Sequence, residues 1–355
     1  MSREIGFRYE LLRDGAYCAL LRAETGTAPS IRMQEAGEIK TAFSGVFAPA
    51  AEDADGNPVE IDWLSDEIRP VLLIDGEAYP LGVFMPVTPR NRSDGVVSSV
   101  RVEAYDRCWR VRDTNSDSLL YWPAGTRYLD AVEQLLTAAG IVTVLRTDSD
   151  AVFATAREDW DIGTGYLTVI NDLLGEINYN PLWFNAEGAA VLEPRSVPEE
   201  SAIEHTLDAS DPGTLVRLGI SRETDIYSAP NVFIVVCANP ELSSVMTSTA
   251  INDNPQSPLS VSRRGRRICT VVHMDNIADQ DALDACAAAL RDESLITGET
   301  VQVTTGLLPG FGVDDVVALH YGDLTDVCVE RAFTMELAVG GKMTHTLERV
   351  VYNLA

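Results

Sequence analysis

The chain has 355 residues, 46% of them hydrophobic, a mean hydropathy of zero and a formal charge of −27 from 54 acidic and 27 basic residues. That length suggests two or three domains with substantial cores. No apolar run approaches the roughly 20 residues of a membrane helix, and the acidic balance disfavours tight nucleic-acid binding, which needs a basic footprint.

Residues 1–105 read as mostly β. Phe7–Leu12 and Ala16–Arg22 flank Asp14-Gly15, and Val71–Ile74 and Tyr79–Phe84 flank Asp75-Gly76. Both are hairpin signals, because Asp-Gly supplies the positive φ angles of a tight two-residue turn. Val100, Val102 and Ala104 alternate with Arg101, Glu103 and Tyr105, which predicts a strand with one buried face. A polar loop is expected at Pro49–Pro58.

Residues 106–200 change character and predict a small α/β unit. Thr126 is positioned to cap a helix carrying Leu129, Val132 and Leu136, stopped by Gly140. Thr164 is positioned to cap a second with Leu167, Ile170, Leu174 and Ile177 at helical spacing. Leu182–Phe184 and Ala190–Leu192 predict a hairpin around Asn185–Gly188.

From residue 201 β-patterning returns. The apolar run Asn231–Ala238 suits a strand covered on both faces. Asn239–Arg267 reads as a long polar loop with Pro240, Pro255 and Pro258, a length usual for functional or partner-ordered segments. A helix is expected over Asp279–Glu293, with Leu283, Cys286, Ala287 and Leu290 on one stripe. Its acidic first turn and Arg291 in the last complement the helix dipole. Strands follow at Thr300–Thr305, Val316–Tyr321, Val327–Val339 and Met343–Val351. The longest puts Val327, Val329, Phe333, Met335, Leu337 and Val339 on one face, broken only by Arg331. Cys328, Glu330, Ala332, Thr334, Glu336 and Ala338 fall on the other, expected to look toward a lumen or solvent.

Chemistry is sparse. There is no HExxH, P-loop, GxSxG or GxGxxG motif. The six cysteines and four histidines are scattered, so neither a metal site nor a disulfide framework is expected, and the cysteines read as buried free thiols. Cys269 and His273 would share a strand face roughly 13 Å apart, too far for a nucleophile–base contact, and read as a core Cys and a satisfied His. Asp314-Asp315 after Gly310-Phe311-Gly312 reads as a turn opening a strand. Trp63, Trp109, Trp122, Trp160 and Trp183 read as core. The basic run Arg263-Arg264-Gly265-Arg266-Arg267 is expected to meet a carboxylate-rich surface on a neighbouring subunit, with a solvated loop as the plainer alternative. No catalytic, cofactor-binding or metal-binding residues are assigned, and no cofactor is expected. MSREIGFRYE shows no secretory signal, which implies synthesis in a cytosol.

The order of parts carries a resemblance. The segments ANPELSSVMTSTAINDNPQSPLS, IADQDALDACAAALRDES, TGLLPGFGVDDVVALHYG and ERAFTMELAVGGKMTHTLERV resemble the end of phage tail baseplate hub, or tail-tip hub (tail-associated), proteins. IDWLSDEIRPVLLIDGEAYPLGVFMP, AYDRCW, YWPAGTRYLDAVEQLLTAAGI and VINDLLGEINYNPLWFNAEGA resemble the N-terminal half of that family. The resemblance implies an α+β, mainly β fold with two tail-tube-like β-barrel domains (1–105 and 201–355) and α/β insertions, the main one 106–200. It implies a homotrimer that adapts a sixfold tail tube to a threefold tip. The implied partners are the tail tube protein, a distal tail or baseplate ring protein, the tape-measure protein and a tip, spike or fibre protein. DNA is met only in transit, and no membrane is spanned. A trimer carries three times −27, or −81, charges, and a share of these lining the channel would repel DNA phosphates. The chain stops at Ala355, which leaves no room for an appended lytic domain. The implied location is the virion tail, assembled in host cytoplasm. Two other functions stay open: a carboxylate-based cell-wall hydrolase on a tail scaffold, and a receptor-binding adaptor using the 239–267 loop.

Overall fold

In a computed structural model the described residues are 3–93, 98–195, 200–217, 219–224, 229–237, 245–274, 277, 279–293 and 296–350. The fold is mainly β, 42% strand and 15% helix. Both Asp-Gly hairpins form. Ile5–Arg13 pairs antiparallel with Ala16–Leu21, and Glu67–Ile74 with Glu77–Pro80. Asp14 and Gly15 have φ of 52° and 75°, and Asp75 and Gly76 have 52° and 88°, the doubly positive pair that matches strand twist.

Seventeen strands join into one sheet that crosses from one end of the chain to the other. From Ile5–Arg13 it passes through Glu67–Ile74 and Phe84–Pro86 to Ser98–Asp106, then Thr41–Phe47 and Ser30–Gln34. Ser30–Gln34 pairs antiparallel with the C-terminal part of Leu324–Glu336, so residues from the two chain ends share a ladder. The ladder continues through Met343–Val350 and Ile296–Thr305 to Ser221–Thr224. It does not close into a barrel among the described residues.

Leu324–Glu336 is the hinge of this arrangement. One edge pairs with Met343–Val350 along most of its length. The other pairs with Val316–Tyr321 over its first half and with Ser30–Gln34 over its second. Arg331 is a β-bulge between them: Glu330 pairs with Leu347 and Ala332 with Thr346, leaving Arg331 unopposed. The expected single alternation over Val327–Val339 therefore fails. The extra residue shifts the period, so Cys328 and Glu330 share the inner face with Phe333 and Met335. Val327 and Val329 lie on the opposite face and are also buried, packed with Val316.

Two α/β units interrupt the β scaffold. In the first, the helices Cys108–Asp113, Tyr128–Ala138 and Tyr166–Glu176 and the Trp183–Phe184 and Ala190–Leu192 hairpin enclose a core of their own. Arg127 and Gly165, not Thr126 and Thr164, are the N-cap residues. The two threonine hydroxyls instead donate back to the Pro123 and Asp161 carbonyls, tightening the preceding turns. In the second unit Val232–Cys237 is the central strand between Met246–Ile251 and Cys269–Met274, with the helix Gln280–Glu293 on one face. Residues 239–267 are thus not one long loop. Residues 246–251 form a strand and 261–264 a helical turn, while 239–244 lie outside the described residues. The loop reading failed because MTSTAI has only two large apolar side chains, Met246 and Ile251, at its ends, with small and hydroxyl side chains between, which pair with an apolar neighbour without showing a clear period. Val232–Cys237 is covered by helix on one side only; Ile234 and Val236 on the other are half-exposed.

Candidate functional site

Seven strands, from Ser98–Asp106 through Leu324–Glu336 to Ser221–Thr224, present one continuous sheet with two unlike faces. The inner face carries Val102, Phe43, Met33, Phe333, Met343 and Val303, all buried. Their burial removes the apolar surface that holds both halves of the chain on one core. Registers place the opposite residues side by side: Arg101, Glu103 and Tyr105; Ala42 and Ser44; Ser30, Arg32 and Gln34; Thr334 and Glu336; Thr344, Thr346 and Glu348; Gln302 and Thr304. This face is rich in short hydroxyl side chains and carries both signs of charge. Near its middle, a groove is lined by Ser30, Arg32, Ser44, Arg101, Tyr105 and Thr334. The low density of carboxylates here differs from the strongly acidic wall that overall charge suggests.

Beneath the bulge lies a buried polar cluster that sequence reasoning missed. The Glu330 carboxylate accepts from or shares a proton with His345 Nδ1 at 2.6 Å, and both side chains are fully buried. His345 Nε2 lies 3.1 Å from Thr305 Oγ1, which donates to the Gly306 carbonyl. Phe311 stacks on His205 with ring centroids 3.9 Å apart and meets His345 in a tilted contact at 4.7 Å. His205 Nε2 in turn meets Asp315 at 3.0 Å. Burial raises the Glu330 pKa against the opposing pull of His345. For His205 burial acts downward, but Asp315 and Glu204 outweigh it and raise the imidazole pKa. The hydroxyl–imidazole–carboxylate connectivity has the order of a nucleophilic relay, yet Thr305, Glu330 and His345 are sealed from solvent, so no substrate reaches the hydroxyl. The one sequence signal for this cluster was Arg331, the residue that broke the apolar row.

Asp314 and Asp315 point apart: Asp314 pairs with Arg331 and Asp315 with His205. Burial pushes the Asp314 carboxyl up to about 6, opposed by Arg331. Cys269 and His273 do share a strand face, as expected, but that face is exposed, so they are not core residues. Cys108, Cys237, Cys286 and Cys328 are buried, Cys18 is half-buried, and all six thiols are free. Trp122 and Trp160 are buried; Trp63, Trp109 and Trp183 are partly exposed, and Trp109 stacks on Tyr105. In the basic run, Arg264 donates to the Ala229 carbonyl, while Arg263, Arg266 and Arg267 are exposed. Among the described residues no cluster of metal-ligating side chains occurs, and no helix is long and apolar enough to cross a membrane.

The whole arrangement has precedents. A tail protein from Neisseria meningitidis MC58 superposes with a TM-score of 0.66 at 14% identity, over 97% of this chain and 96% of that one. The 43 kDa tail protein of prophage MuSo2 from Shewanella oneidensis gives 0.64 at 11% identity, covering 96% and 98%. This is the fold of a phage tail protein. The prophage tail protein gp18 from Listeria monocytogenes EGD-e shares the tail-protein fold too, with a TM-score of 0.58 at 13% identity over 96% and 94%. No family model and no curated protein sequence matches the chain. The fold is thus shared where sequence identity is low.

Proposed function

We propose that this tail-fold protein is a structural hub at the distal end of a phage tail or phage-like particle, acting as a homotrimer and without enzymatic activity. The observation that carries the reading is the spanning ladder. Both halves of one chain contribute strands to a single sheet, one face apolar and buried, the other open and rich in hydroxyls. Residues 1–105 and 201–355 serve as the two tube-like domains, and 106–200 as the inserted α/β domain. Three copies then present six sheet halves around a threefold axis, which suits the step from a sixfold tube to a threefold tip. The hydroxyl-rich face lines the ejection channel, where short neutral side chains and few cations give DNA phosphates little to bind. The tube protein, the distal tail or baseplate ring protein, the tape-measure protein and a tip, spike or fibre protein are its neighbours, and DNA touches it only in passage. Its place is the virion tail, after assembly in the host cytoplasm.

Electron microscopy of the purified protein and of particles carrying it tests this reading. Threefold rings with Ser44, Thr334 and Thr346 on the inner wall are expected. A protein that stays monomeric at high concentration, or rings with that face outward, would overturn it.

A further inference from the structure

Among the described residues, nothing covers one face of the sheet in the second α/β unit. Opposite the helix Gln280–Glu293, pairing aligns Ile234 and Val236 with Thr247 and Thr249 on one side and Val271 and His273 on the other. Val271 is 50% exposed, and Thr247, Thr249, Cys269 and His273 are exposed with it. Arg267 lies two residues before Cys269 and continues the exposed row. Arg263 and Arg266 stand beside it on the turn capped by Gly265, whose φ of 64° fixes the chain reversal. None of these three arginine side chains forms an ion pair among the described residues, in a chain with twice as many acids as bases. Asp253, beside the turn, accepts the Ser262 N–H.

The first α/β unit carries a patch of the opposite character. Segments 115–122 and 157–165 run side by side, tied by Ser116 to Gly163 and Thr164 and by Trp122 to Arg157. Leu119, Tyr121 and Ile162 project from them at 52%, 58% and 64% exposure. Asp117, Glu158 and Asp161 lie on the same two segments and are exposed.

We propose that the basic sheet face of the second unit docks on the acidic, apolar patch of the first unit in a neighbouring copy of this chain. The two patches carry opposite charge beside exposed apolar groups, and Arg263, Arg266 and Arg267 form no ion pair among the described residues. The contact is heterologous, from one patch to a different one, and closes into a ring of three when each copy is rotated by a third of a turn from the last. It rests on the trimeric hub reading and names the contact between subunits outside the tube-like ladder.

A reciprocal charge exchange tests it in the full chain. Sedimentation velocity at moderate salt measures the trimer dissociation constant for the native protein, R266E/R267E, E158R/D161R and the combination of all four. Each pair alone is expected to weaken the trimer about tenfold or more, since like charges are brought together. The combination is expected to recover most of that loss. All four positions are exposed, and circular dichroism with unfolding midpoints confirms that the variants fold. Where one reversal does not fold, R266Q/R267Q replaces it, and a several-fold weakening is expected. An unchanged trimer in the reversals, or no recovery in the combination, overturns the contact while leaving the trimer standing. Loss of duplex DNA binding in R266E/R267E with an unchanged trimer would also overturn it, and assign the run to nucleic acid. A native protein that is monomeric throughout overturns both this contact and the hub reading.

Discussion

Glu330 and His345 form an ion-pairable couple sealed in an apolar core, with Glu330 Oε1 lacking a protein partner among the described residues. Breaking such a couple from one side strands the other group, which typically costs about 3–5 kcal/mol. Glu330→Ala should therefore lower the unfolding free energy by about 3 kcal/mol in urea titrations. Replacing both partners with apolar groups, as in Glu330→Met with His345→Phe, should recover much of it; a single substitution costing under about 1 kcal/mol would contradict the buried geometry. Asp106 makes a different prediction. Its carboxylate accepts from the Thr41 and Cys108 amides, yet burial dominates and pushes its pKa up to about 6. A carboxyl raised on folding contributes stability that is full below its unfolded value, near 3.8, and lost as pH rises through about 6. The span corresponds to stability on the order of 3 kcal/mol. Asp106→Asn should flatten the pH dependence of unfolding between pH 4 and 6, and carbon-detected titration of native Asp106 should show a midpoint near 6.

At the scale of the element, the bulge at Arg331 decides which side chains of Leu324–Glu336 face inward. Its carbonyl accepts from the Glu35 amide, and its guanidinium bridges Asp314 and Glu348. Deleting Arg331 removes the bulge but leaves Cys328, Glu330, Phe333 and Met335 in regular alternation on the inner face; what is lost is the pairing with Asp314 and Glu348 and the carbonyl that accepts from Glu35. The deletion should fold around the same core, at a cost of about 2–4 kcal/mol for the lost ion pairs and backbone bond. Arg331→Ala keeps the residue count and should cost only about 1–2 kcal/mol by thermal unfolding, the value of a half-buried charged network. A deletion variant that does not fold would show that the bend of the bulge, and not only its ion pairs, is needed to join the two halves of the strand. The same strand marks what was legible in the sequence. The Asp-Gly hairpins, the Gly140 stop and the Leu283–Leu290 stripe rest on neighbours within one or two turns, and they form as read. The bulge left only one trace, an arginine in an apolar row. Pairing of Ser30–Gln34 with Ala332–Glu336 left none, because nothing local in either strand specifies a partner from the other end of the chain.

For the whole molecule, the charge of −27 and the character of the ladder face point to a division of labour. Two clusters of carboxylates are engaged away from that face. Arg222 and Arg349 both bridge Glu299 and Asp326 at the edge of the second half, and Arg146 draws Asp130, Glu133 and Asp148 together on the first insertion. The open face instead offers Ser30, Ser44, Thr304, Thr334, Thr344 and Thr346 in adjacent rows. If this face is the channel wall, its function depends on being weakly charged, and cations placed there should act on DNA without touching the fold. Ser44→Arg with Thr334→Arg adds two guanidinium groups per subunit at solvent-facing positions, where surface substitutions change stability by about 0.5 kcal/mol or less. Particles should assemble normally, yet release DNA several-fold more slowly in a dye-based ejection assay, because arginines on a confined wall pair with passing phosphates. Raising the salt concentration should return the rate toward the native one, since screening weakens those contacts. Native ejection kinetics in the double variant at low salt would place this face on the outside of the ring, and the acidic surfaces elsewhere on the molecule would become the candidates for the wall.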